Sequence, residues 1–113
     1  MQLEVKSLLV DMQHAGAGIA LFTERKSLDD YKSDLMLRSA VERQFEIIGE
    51  AMTRLRKLAP DLVERFSEYR GIINLRNVLI HGYDAVDNDI TWKIIVNELP
   101  VLRREVDELL KLP

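Results

Sequence analysis

The segment Arg76-Asn77-Val78-Leu79-Ile80-His81-Gly82-Tyr83 holds the residues of this 113-residue chain best suited to chemistry. Arginine, asparagine, histidine and tyrosine surround an apolar triplet. Setting such groups against a core helix carries a desolvation cost unless they meet partners or line a cleft. An imidazole, with an ordinary pKa of about 6.5, takes or gives a proton at neutral pH. It could remove the proton of a ribose 2′-hydroxyl or deliver one to a leaving 5′ oxygen. A guanidinium stays charged and offers a fork of donors matched to phosphate oxygens, so it could stabilise the charge that builds up at phosphorus. Asn77 could orient a phosphate or the imidazole. RNA carries its own nucleophile, which suits a chain without cysteine.

The spacing sets a condition. Arg76 and His81 lie five residues apart, about 140° around an ideal helix, so they do not share one face. They converge if the helix ends or bends near Ile80, as the left-handed cap offered by Gly82 suggests. They can also act together if two copies of the segment face each other across a two-fold axis. A purely structural role stays open on the residues alone. His81 suits a helix C-terminus, Arg76 could pair with Glu46 or Glu50 on a neighbouring long helix, and Tyr83 could sit at the core edge. His14 has no polar companions and reads as solvent-facing. Asp87 and Asp89 lack the ligand series of a calcium loop and read as helix caps. There is no glycine-rich phosphate loop, no H-E-x-x-H and no nucleophile elbow.

The elements that would position these groups are helical. Leu3, Leu8, Leu9, Met12, Ile19 and Phe22 recur at near-helical spacing over about 2–23, with Gly16 and Gly18 in the second half. Ser27, followed by Asp29 and Asp30, is a helix start, and Ser33 offers another. From about Asp34 to Leu58 the stripe Leu37, Val41, Phe45, Ile48, Met52, Leu55 predicts a long amphipathic helix, which Pro60 stops. Ile72 to Ile80 is rich enough in β-branched residues to be argued as a strand, but no partner strand exists, so it is read as a buried helix. Asp87-Asn88-Asp89 opens the last helix, through Trp92, Leu99, Leu102, Val106 and Leu109, with Pro100 expected to kink it. The fold class is therefore all-α: an up-down four-helix bundle with a short extra helix near residue 30 or 62, forming a single domain over 1–113.

Bulk composition narrows the function classes. An apolar fraction of 47% with 31% charged residues is that of a globular domain rather than a disordered tail. A net charge of −3 argues against coating nucleic acid by bulk charge, yet permits a local basic patch. The absence of cysteine removes disulfides, zinc–thiolate sites and cysteine nucleophiles. No apolar run is long enough for a membrane span and the first ten residues do not read as a secretion signal, so a cytoplasmic location is expected.

The motif Arg76-Asn77-x-x-x-His81-x-Tyr83 resembles the R-x4-H-x-Y signature of the HepT-like toxins, a branch of the HEPN ribonuclease superfamily. Two more blocks agree in order. Glu42 to Ala51 is similar to the family's "IGEA" helix, and Asp87 to Leu102 looks like its final helix. The resemblance implies an all-helical homodimer whose paired motifs meet in a cleft and cut RNA without metal or cofactor. It would make Arg76 and His81 catalytic with Asn77 in support. It also implies an MntA-type minimal nucleotidyltransferase antitoxin, in a type VII-like pair, with the homodimer able to join a larger hetero-oligomer. That partner would silence the toxin by attaching AMP to Tyr83, adding bulk and negative charge where an RNA phosphate must sit. Phe66 to Gly71 departs from the turn that many relatives carry before the motif. The rival expectations are a non-catalytic helical partner or substrate-binding module of a nucleotidyltransferase, and a dimer with no ligand.

Overall fold

The computed structural model describes residues 1–81 and 87–113, with His81 described in its backbone only. The described residues form helices α1 (Leu3–Thr23), α2 (Leu28–Ser33), α3 (Leu35–Leu58), α4 (Pro60–Val63), α5 (Tyr69–His81), α6 (Asn88–Lys93) and α7 (Leu99–Leu110), with a π-helical segment at Ile94–Glu98. No strand occurs among them. Ile72 to Ile80 is indeed helical, since a lone strand would leave its backbone groups unpaired.

Local chemistry sets the ends. Ser27 caps α2 in a reciprocal box: its hydroxyl accepts from the Asp30 N–H while the Asp30 carboxylate accepts from the Ser27 N–H. The same hydrogen bond from the Ser27 backbone holds the Asp30 carboxyl below its ordinary pKa. Asp34, rather than Ser33, caps α3 by accepting from Leu37 N–H. Pro60 stands at the first position of α4, where a missing N–H costs nothing. Asp87 caps α6 by accepting from the N–H groups of Asp89 and Ile90. Short helices therefore occur near both residue 30 and residue 62. The interruption expected at Pro100 takes the form of the π segment ahead of it, and Pro100 itself sits within the first turn of α7.

The long helices run up, down, up and down. Gly18 of α1 lies near Gln44 of α3 while Leu3 and Glu4 share a groove with Lys57 and Leu58, and Gly16 lies near Leu99 and Arg103 while Gln13 Nε2 donates to Asp107 at 3.0 Å, so α1 is antiparallel to both α3 and α7. Helix α3 lies between α1 and α5. Its stripe Leu37, Val41, Phe45, Ile48, Met52 and Leu55 is buried, together with Leu9, Met12 and Ile19 of α1 and Leu99, Leu102 and Val106 of α7. These form one apolar cluster. No helix among the described residues is long and apolar enough to cross a membrane.

Candidate active site around Arg76

Helix α5 carries Arg76 because its first two turns face the core and its last turn does not. Ile72, Ile73 and Leu75 are buried, Val78 and Leu79 are half-buried, and Ile80 is 45% exposed. The apolar triplet before His81 thus climbs out of the core instead of lying within it. The helix emerges at the level of Arg43, Glu46 and Ile47 of α3.

Arg76 crosses α3 at Gly49. A Cβ built on Gly49 would stand 2.1 Å from the Arg76 Cβ and 2.6 Å from its Cγ. Real atoms do not approach so closely, so glycine alone lets α3 and α5 meet at this depth. The mid-helix glycine of the "IGEA" block is therefore a packing point. Beyond the glycine the guanidinium is gripped by charge. Its Nη2 donates to Glu50 Oε2 at 2.7 Å and its Nη1 donates to Asn77 Oδ1 at 3.1 Å. Of the two candidate acids on α3, Glu50 is the partner; Glu46 accepts instead from Arg43 at 3.4 Å. The Arg76 Nε is buried and meets no acceptor among the described residues. Its side chain keeps 24% exposure and that of Glu50 48%, so the pair contributes on the order of 1 kcal/mol. Its value is orientation rather than stability.

The other oxygen of Glu50 faces Arg54, whose Nε lies 3.7 Å from Oε1 one turn further along α3. One carboxylate therefore stands between two guanidiniums. Glu50, Arg54 and Ile80 line a surface groove of about 270 Å³ between α1 and α3, floored by Leu8 and Ile47. A larger groove of about 630 Å³ shares Leu8, Asp11 and Arg54 and runs on toward Leu3 and Lys57, away from Arg76. Among the described residues no three His, Asp or Glu side chains gather as a ligand set.

The chain matches the family described as ribonuclease HepT-like over residues 12–109. It belongs to that family. It is 33% identical over 106 residues to a protein of Methanocaldococcus jannaschii that carries a provisional RNase name, covering 92% of this chain and 94% of the relative. It is 31% identical over 110 residues to a protein of Thermococcus cleftensis provisionally named ribonuclease HepT, covering 94% and 96%. A third relative with a provisional RNase name, from Caldanaerobacter subterraneus, is 37% identical over 87 residues and 75% of each chain. No solved structure matches significantly.

Within this HepT-like chain, the structure brings Arg76 and Asn77 into contact, both on α5. His81 closes the same helix, but its side chain lies outside the described residues, as do Gly82 and Tyr83. His14 is exposed on α1, as its isolation predicted. Arg54 was not singled out from sequence. The signal was there: it stands four residues after Glu50, on the same face of one helix.

Proposed function

We propose that the chain is a metal-independent endoribonuclease whose Arg76 and His81 do the cutting with Asn77 in support. Arg76 carries this reading. It is an arginine fixed at a helix surface, with hydrogen bonds on both terminal nitrogens, ahead of a histidine that ends the same helix. A guanidinium has five N–H donors. The two bonds to Glu50 and Asn77 leave one hydrogen on each terminal nitrogen for phosphate oxygens. The His81 imidazole takes the 2′-hydroxyl proton or supplies one to the 5′ oxygen. The 2′ oxygen then bonds to phosphorus as the 5′ oxygen leaves, giving a 2′,3′-cyclic phosphate. Two copies present their motifs across a two-fold axis, which removes the angular separation of Arg76 and His81 on one helix. The exposed Ile80 beside the half-buried Ile47 supports a second copy seating there.

The same reading makes the chain the toxin of a type VII-like pair, acting on RNA in the cytoplasm and silenced when an MntA-type nucleotidyltransferase attaches AMP to Tyr83. The test is cleavage of single-stranded RNA in EDTA by the purified chain. Cyclic-phosphate ends are expected, and Arg76→Ala or His81→Ala should lower turnover by roughly 10³-fold at unchanged helix content. Parental activity in both variants ends the assignment. With a cognate MntA-type nucleotidyltransferase and ATP, the parent should gain the mass of one AMP and Tyr83→Phe should not. Tight binding of that enzyme by preparations that never cut RNA would favour a helical partner module instead.

A further inference from the structure

We propose that Glu50 is the positioning residue for Arg76, with Gly49 beside it making the grip possible, an assignment that rests on the ribonuclease reading above. Adjacent residues of α3 handle opposite ends of one side chain. Gly49 admits the stem, because any Cβ there would lie 2.1 Å from the Arg76 Cβ. Glu50 holds the tip through a 2.7 Å charge-assisted hydrogen bond to Nη2. An arginine tip swings on several rotatable bonds, and fixing it before substrate arrives removes that freedom from the reaction step.

The grip is built to leave room. Glu50 spends one oxygen on Arg76 and turns the other toward Arg54, 3.7 Å away. A fork-to-fork clasp would have used both carboxylate oxygens on one guanidinium. The single-oxygen hold leaves a hydrogen on each terminal nitrogen of Arg76. It also raises an electrostatic objection, since a carboxylate beside a phosphate site repels it. Arg54 answers that objection. Two guanidiniums flank one carboxylate, so the cluster Arg54–Glu50–Arg76 keeps one net positive charge. Removing the carboxylate charge should therefore not weaken RNA binding, while it frees the arginine tip. Turnover and affinity should part company.

The test compares Glu50→Gln and Glu50→Asp with the parent, using the whole purified chain. Cleavage of a fluorescent single-stranded RNA gives kcat and KM, and an uncleavable 2′-deoxy strand gives binding. Glu50→Gln should lower kcat by about 10- to 100-fold, the scale of a misplacement near 1 Å. KM and the Kd for the deoxy strand should stay level or fall. Glu50→Asp, which keeps the charge on a shorter stem, should recover part of kcat. The pH–rate profile should keep both limbs, because Glu50 carries no proton in the reaction. A kcat for Glu50→Gln equal to or above the parent's overturns the positioning role, as does a loss confined to binding. Arg76→Ala runs alongside. If it cuts like the parent, the ribonuclease assignment of Arg76 falls and takes the positioning role with it. If only Glu50→Gln cuts like the parent, the positioning role alone falls.

Discussion

Helix α3 makes two seams of opposite character. Along its core-facing stripe it offers Val41, Phe45, Ile48, Met52 and Leu55, all buried in one apolar cluster with residues of α1 and α7. Toward α5, at the level of residues 49 and 50, it offers a glycine and a glutamate to the stem and tip of an arginine. The apolar seam is held by area, which many side chains of similar volume can supply. The ionic seam is held by shape and angle at single atoms, and contributes little to stability. Cohesion and the grip on Arg76 are thus carried by different faces of one helix.

Substitutions should separate the two. Met52→Ala empties a fully buried site and should cost about 2–5 kcal/mol of unfolding free energy, measured by denaturant titration. The kcat of the folded fraction should change little. Gly49→Ala should do the reverse. Relief of glycine in a helix is worth about 1 kcal/mol, set against about 1–3 kcal/mol for overpacking. The obstructing atoms are the Cβ and Cγ of Arg76, fixed close to its backbone, so overpacking wins by a small margin and α5 must shift. That shift should lower RNA cleavage by about 10- to 100-fold. A Gly49→Ala variant with parental kcat would erase the distinction between the seams.

Two smaller effects sharpen the picture of the apolar side. The Tyr31 hydroxyl is wholly buried and meets no hydrogen-bond partner among the described residues, its ring 5.5 Å from that of Trp92. Burial, reinforced by Glu42 and opposed by Arg38, pushes the phenol well up from its ordinary pKa. Tyr31→Phe removes an unsatisfied group and should be neutral or stabilising by up to about 1 kcal/mol. A clear destabilisation would point to a hydrogen bond that the hydroxyl makes in solution. Burial also pushes the Glu98 carboxyl up, aided by Glu68. The folded state then holds its proton to higher pH than the unfolded chain. This group's contribution to stability falls as pH rises from the ordinary glutamate range through the raised value. Glu98→Gln should flatten that segment of the stability–pH curve and leave higher pH slightly favoured relative to the parent.

Much of the fold was legible in residue order, since helical periodicity and caps are local physics. The steps through Leu37, Val41, Phe45, Ile48, Met52 and Leu55 marked α3 to within a residue, and Ser27 and Asp87 marked two starts. The second short helix and the π segment ahead of Pro100 were harder. Each depends on how a chain is turned to meet its neighbours rather than on propensity. At the site, the residue types alone named a guanidinium and an imidazole as chemical partners. Their spacing also carried the warning that one straight helix could not align them.

Sequence by itself determined that this is a helical chain carrying an R-x4-H-x-Y segment, because periodicity and motif spacing are properties of neighbours along the backbone. Only the tertiary structure decided that Arg76 goes to Glu50 rather than Glu46, that the side chain crossing at Gly49 is Arg76, and that Ile80 faces outward. Those outcomes turn on the depth and register at which α5 crosses α3. Distances of a few ångströms between residues more than twenty positions apart are set by packing, which no local pattern encodes.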